Sequence, residues 1–265
     1  MKKGQQLLAI AGLLVATIVV LSVAYARHYK WDKNVLADNS QVETEVEDTE
    51  SIEVVDTEIS EIEQNKEEVY EFVQSDVSYL ADALFIGDSR GVGLKEYGTL
   101  EGTTFFAIEG MSIHNLWKKT TTVGDLGEIA LEDLLAQQSF GKVYIMLGYN
   151  ELGYDQTYSA NRYKETLDRI HELMPDAIIY ICSNLHVTEE LSSSDEMFNN
   201  ENINNYNAKL AEFADQKTFF YIEVNTPFDD ETGSLPADYT DDKVHLYAKH
   251  YKEWSEWFLQ NTIQK

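Results

Sequence analysis

The chain has 265 residues and carries 47 Asp and Glu against 20 Lys and Arg, a formal net charge of -27. Contact with a phosphate backbone needs clustered cations, so this balance excludes nucleic acid as a partner. A hydrophobic content of 43% with three prolines suits a packed core, and the lone Cys182 excludes an intrachain disulfide. Cys182 sits in an apolar run, where a buried structural thiol is expected, and no Cys/His cluster has metal-ligand spacing. Neither a metal nor a cofactor is expected.

Residues 1–6 read as a short cytoplasmic tail containing Lys2 and Lys3. Residues 7–26 follow without a charge and are rich in Leu, Val, Ile and Ala. At about 1.5 Å per residue they span the roughly 30 Å hydrocarbon core of a bilayer. Ala24-Tyr25-Ala26 has the form of a signal-peptide cleavage site, so release as a secreted protein competes with anchoring. The apolar run exceeds the about 7–15 residues of a signal-peptide core, which favours an uncleaved single-pass anchor. In either case the rest of the chain is expected outside the cytoplasm, although Arg27, Lys30 and Lys33 flank the far end of the run and weaken the charge asymmetry.

Residues 27–76 read as an acidic linker. From Asp38 to Asp76 there are fifteen Asp or Glu, one Lys (Lys66), and no Gly or Pro. Mutual repulsion favours an extended tether that holds the following domain off the membrane surface.

Residues 77–265 are the right size for one domain with a sizeable core. Short apolar runs predict strands at 83–86, 104–108, 143–147, 177–182 and 219–224, the first three stopped by Gly87, Gly110 and Gly148. Helical patterns at 126–137, 159–174, 202–215 and 247–262 lie between and after them. Strands alternating with helices imply βαβ crossovers and a parallel sheet covered on both faces. The stretch 188–200, rich in Ser, Glu and Asn, reads as a mobile specificity loop.

Sites in such sheets lie beyond the carboxyl ends of the strands. Asp88-Ser89, Gly110 and Asn150 each fall just past a predicted strand and can converge on one crevice. A serine hydroxyl becomes a nucleophile when a base is in reach and the base is oriented by a third group. Asp242-Lys243-Val244-His245 supplies both in four residues, since positions three apart can face the same way in a turn. The backbone N–H groups of Ser89 and Gly110 and the Asn150 amide are candidate donors to a developing oxyanion. Tyr149 and Tyr154 flank Asn150 and suit either packing or stacking on a sugar. His114, His171 and His186 lack a carboxylate at suitable spacing and read as background.

Phe85-Ile86-Gly87-Asp88-Ser89 resembles the first block of the SGNH (GDSL-like) hydrolase family. Gly148-Tyr149-Asn150-Glu151 resembles its G-x-N-D block, Asp242 to His245 its D-x-x-H block, and Gly110 its second-block glycine. The resemblance implies a flavodoxin-like three-layer α/β/α sandwich with about five parallel strands in the order 2-1-3-4-5. It also implies acyl-ester hydrolysis, with Ser89 as nucleophile, His245 as base and Asp242 as orienter. Ser89, Gly110 and Asn150 would form the oxyanion hole. Asp88, Arg90 and Glu151 would support it, Asp88 by bracing the nucleophile turn. Two positions depart from the pattern. Arg90 replaces Leu and puts a cation beside the nucleophile, which would favour an anionic or sugar-bearing substrate; Glu151 replaces Asp and keeps the carboxylate. Gly87-Asp88-Ser89-Arg90-Gly91 also fits the G-x-S-x-G elbow of α/β-hydrolases, but that elbow follows several strands and Ser89 follows the first.

The expected function is therefore an extracytoplasmic serine esterase that hydrolyses or transfers a short acyl group, with acetylated cell-envelope glycan as the expected substrate. A lysophospholipase or thioesterase is the alternative enzyme. A non-catalytic surface binding protein on a hydrolase-like scaffold is the alternative outside enzymes.

Overall fold

In a computed structural model of the protein, residues 70–265 are described. The expected tail and membrane segment, and the linker up to residue 69, lie outside the described residues. Among the described residues, no helix is long and apolar enough to cross a membrane.

The strands are β1 (Ala83–Gly87), β2 (Thr104–Ala107), β3 (Thr120–Thr122), β4 (Glu128–Ala130), β5 (Lys142–Met146), β6 (Ile178–Cys182) and β7 (Phe219–Ile222). The helices are α1 (Ser89–Tyr97), α2 (Leu131–Gln137), α3 (Gln156–Leu173), α4 (Glu189–Ser194), α5 (Asn200–Ala211) and α6 (Tyr251–Gln260). The five expected strands form one parallel sheet in the order β2-β1-β5-β6-β7, which is the expected order.

Alternate residues of each strand point to opposite faces, and both faces are covered. Leu84, Ile86, Val143, Ile145, Ile179 and Ile181 face a core completed by Leu134 of α2, Leu167 of α3 and Leu210 of α5. Phe85, Tyr144, Tyr180 and Phe220 face the other core, completed by Leu94 of α1 and by Trp254 and Phe258 of α6. Strand register aligns Phe105, Phe85, Tyr144, Tyr180 and Phe220 in one row across all five strands. Phe85 stacks on Tyr144 at 5.0 Å and Tyr144 on Tyr180 at 4.3 Å, while Phe258 meets Phe85 edge-on at 5.0 Å. These aromatic contacts tie the sheet to its covering helix.

Three expectations are corrected. The helix expected from residue 126 begins only at Leu131, because the β-branched run Thr120–Thr122 pairs with β4 as a hairpin and Gly127 takes φ +68°. Helix α1 was not expected at all: it buries Arg90, Gly91, Gly93 and Leu94, which carry no apolar period. The stretch 188–200 is ordered rather than a loose loop. Thr188 caps α4, Asp195 accepts the backbone N–H groups of Met197 and Phe198, and Asn199 caps α5.

The segment 183–188 that leads out of β6 is buried without a strand partner on its far side. Asparagine side chains satisfy the backbone groups of its interior, while the Ser183 and Thr188 N–H groups at its ends reach the Ile222 and Lys243 carbonyls. The Asn184 N–H donates to Asn207 Oδ1, the His186 N–H to Asn225 Oδ1 and the Val187 N–H to Asn200 Oδ1, all at 2.7–2.8 Å. Returning bonds run from Asn207 and Asn225 to the Asn184 carbonyl and from Asn200 to the Val187 carbonyl.

The chain meets the domain slightly before residue 77. Val73 forms an antiparallel bridge with Thr262, and the Ser75 N–H donates to the Leu259 carbonyl at 2.8 Å. Tyr180 Oη accepts from the Ile263 N–H at 2.7 Å, and Tyr79 Oη donates to the Ile263 carbonyl at 2.8 Å.

Candidate active site

Strand β1 ends at Gly87, and the chain turns directly into α1. Asp88 caps that helix, its carboxylate accepting from the Arg90 N–H at 2.9 Å. Ser89 is therefore the first residue of a helix, and its own N–H has no acceptor within that helix. Ser89 Oγ lies 2.8 Å from His245 Nε2, and His245 Nδ1 lies 2.6 Å from Asp242 Oδ2. Residues 156 positions apart thus form one continuous hydrogen-bonded relay.

The turn that carries the relay is held from several directions. Asp242 Oδ1 accepts the N–H groups of Val244 and His245 at 2.9 and 2.8 Å, and the Thr240 hydroxyl at 3.1 Å. Burial opposes ionisation of Asp242, but these N–H groups and the imidazole outweigh it and hold the carboxyl well below the usual carboxylate range. Between Asp242 and His245, Lys243 takes φ +75°, an unfavourable conformation for a residue with a Cβ. It is held there from α4 and its cap: the Thr188 N–H donates to the Lys243 carbonyl at 3.1 Å, and Lys243 Nζ pairs with Glu190 at 2.7 Å. The sequence reading missed this brace and the part played by Thr240. A lysine in the left-handed region carries no sequence signal, whereas a hydroxyl two residues before Asp242 was legible.

Two further segments border the serine. Gly110, after β2, takes φ +66° in open space, so the turn requires glycine for its backbone and not for lack of room. Asn150 lies in the turn after β5. Its Nδ2 donates to the Met111 carbonyl at 2.9 Å and to Asp88 Oδ2 at 3.2 Å, which joins the turn after β5 to the loop after β2 and to the helix cap. Glu151 is buried, and one of its carboxyl oxygens accepts the Ile113 N–H while the other has no hydrogen-bond partner. Burial pushes its pKa up to about 8, with the Asp88 carboxyl adding to the rise and the Ile113 N–H opposing it. Burial also raises Asp88.

Arg90 differs from expectation. It is only 2% exposed, with its guanidinium 4.4 Å above the Tyr149 ring and a long 3.5 Å bond to the Val244 carbonyl. The cation is enclosed by protein instead of lying open beside the nucleophile. It packs between Tyr149 and the turn bearing His245. His186 also departs from its reading as background: Asp229, 43 residues away, pairs with its Nδ1 at 2.8 Å, and Asn204 pairs with its Nε2 at 2.8 Å. Cys182 is fully buried, and burial pushes its thiol pKa up, as expected of a structural residue. A cavity of about 570 Å³ lies between Leu94, Phe105, Val123 and Leu126 and shares no residue with the relay. The relay itself is open, with the His245 and Asp242 side chains 39% and 49% exposed.

This geometry suits transfer of an acyl group through a serine ester. The GDSL-like lipase/acylhydrolase family matches residues 86–252, a span that starts in β1 and ends in α6. The chain belongs to that family and is a hydrolase acting on ester bonds. Among solved structures it resembles a Streptococcus pneumonia protein provisionally described as a platelet activating factor. That likeness has 22% identity and a TM-score of 0.53, and covers 79% of this chain and 100% of that one. It also resembles a GDSL-like lipase from Bacteroides thetaiotaomicron at 15% identity and a TM-score of 0.50, covering 68% and 86% of the two chains. At these identities the likeness is one of fold. No curated protein matches the chain.

Proposed function

We propose that the protein is an extracytoplasmic serine esterase acting on short acyl esters, with Ser89 as nucleophile, His245 as base and Asp242 as orienter. The observation that carries this reading is the relay Ser89 Oγ–His245 Nε2 at 2.8 Å and His245 Nδ1–Asp242 Oδ2 at 2.6 Å. With Nδ1–H donated to the Asp242 carboxylate, Nε2 is free to take the serine proton as Oγ attacks the ester carbonyl. The resulting oxyanion sits at the amino end of α1, where the Ser89 N–H and the helix dipole favour negative charge. The Gly110 N–H is a second donor, and Asn150 supplies a third through the N–H now on its longer bond to Asp88. His245 then returns the proton to the leaving alcohol, and water entering by the same route releases the acid.

The half-exposed relay supports a short acyl group on a large, water-soluble alcohol, because a long chain would need an enclosed channel. Acetylated cell-envelope glycan is the substrate proposed. The location rests on the apolar run 7–26, and cleavage of the domain by protease added to intact cells tests it.

The full-length chain, assayed on p-nitrophenyl esters from acetate to palmitate, should favour the shortest. Ser89→Ala should lose about a thousandfold or more in kcat and escape labelling by a fluorophosphonate. Activity retained in that variant sinks the assignment of Ser89, and a preference for palmitate sinks the short-acyl reading.

A further inference from the structure

Three rings form a surface that the proposed chemistry does not use. His114 lies 5.3 Å from Tyr158 with the rings 9° from parallel, and 4.5 Å from Tyr154 at 45°. Both tyrosines are 56% exposed, although the rings of large aromatic residues are ordinarily well covered. Met197, 42% exposed, packs against the adjacent Gly153. Three of the nine exposed large apolar side chains among the described residues are thus gathered at one turn.

The chain connects these rings directly to the oxyanion donors. His114 follows Gly110 by four residues, and Tyr154 follows Asn150 by four. The two segments are joined to each other by Asn150 to the Met111 carbonyl and by the Ile113 N–H to Glu151. The Tyr154 N–H closes the turn onto the Glu151 carbonyl at 2.8 Å. Each segment therefore runs from a donor at one end to a ring at the other, and four residues of turn span about the width of one or two sugar rings.

The surroundings of the rings are polar. His114 Nε2 bonds Ser159 Oγ at 3.1 Å, and Arg162 is occupied by Glu165 at 2.5 Å. Burial, with the Arg162 cation adding to it, holds His114 below its ordinary pKa, which favours the neutral ring. Flat, neutral, solvent-facing rings with hydroxyls at their edges suit a pyranose, which offers a C–H face to an aromatic ring and keeps its hydroxyls in water. An alkyl chain gains less there, because an open surface removes only part of its apolar area from water.

We infer that Tyr154, Tyr158 and His114 form a subsite that stacks a sugar ring of the alcohol portion of the substrate, which makes the protein an esterase of acylated oligosaccharides. The inference rests on the assignment of Gly110 and Asn150 as oxyanion donors.

The test compares acetylated xylotetraose with ethyl acetate, whose alcohol has no ring to stack, using the full-length chain. Wild type should prefer the oligosaccharide. The double variant Tyr154→Ala/Tyr158→Ala should lose about tenfold in kcat/KM on it, mainly through KM, and stay within about twofold on ethyl acetate. Tyr154→Phe/Tyr158→Phe keeps the rings and should retain most of the preference. Equal losses on both esters, no loss on either, or a wild type that turns over ethyl acetate with no preference for the oligosaccharide would overturn the subsite and leave the esterase reading intact. A wild type that hydrolyses neither ester and is not labelled by fluorophosphonate would instead overturn the esterase reading on which the subsite depends.

Discussion

Glu151 is a carboxyl that the fold keeps protonated. Its ordinary pKa of 4.5 is raised to about 8 by burial, so across that window the unfolded chain gives up a proton that the folded chain retains. Its contribution to stability therefore falls as pH rises from about 4.5 to 8, and the full cost is present above pH 8. Glu151→Gln preserves the acceptor for the Ile113 N–H while removing the titration. Urea unfolding at pH 5 and pH 8.5 should show the variant gaining on wild type by a few kcal/mol between the two, an order-of-magnitude figure. A difference that does not change with pH would mean that Glu151 ionises freely in the folded protein. Asp242 is placed in the opposite way, with four donors around it, and remains an anion throughout the working range of an esterase.

Among the elements, the segment 183–188 illustrates how a buried stretch beyond the end of a strand has its backbone groups satisfied. Each asparagine amide presents a donor and an acceptor in the arrangement of a backbone peptide, so Asn200, Asn207 and Asn225 replace a neighbouring strand. Asn200→Ala strands the buried Val187 N–H and should cost roughly 2–3 kcal/mol, read as a lower urea midpoint at unchanged m. A cost under about 0.5 kcal/mol would show that Val187 finds another partner. The same elements mark where the sequence could and could not be read. The five strands were legible because each is a short apolar run ended by glycine or a polar residue, and Asp242 and His245 because three positions fit within one turn. Helix α1 was hidden because its buried side presents Gly91 and Gly93 to Ala107 and Tyr251 instead of an apolar stripe. The asparagine contacts and the His186–Asp229 pair join residues 13 to 43 positions apart, a separation at which local pattern carries no information.

Over the whole domain, the aromatic row across the sheet and the two covered faces fix a frame at whose carboxyl edge the relay is assembled. The last residues close one core. Thr262 and Ile263 are buried, Thr262 Oγ1 bonds Ser75 Oγ and the Val73 carbonyl at 2.6 Å each, and Ile263 is held by Tyr79 and Tyr180. Removing residues 262–265 uncovers the Tyr180 hydroxyl and an isoleucine pocket, and should lower Tm by roughly 5–10 °C in a thermal melt. An unchanged Tm would show that these contacts add nothing to the fold. Because Val73 and Thr262 lie side by side in antiparallel directions, a mechanical load applied between the two ends of the domain falls first on this pair of hydrogen bonds. The bonds would open one after the other, like a zip, and the parallel sheet that supports Ser89 would bear the strain only after they had gone.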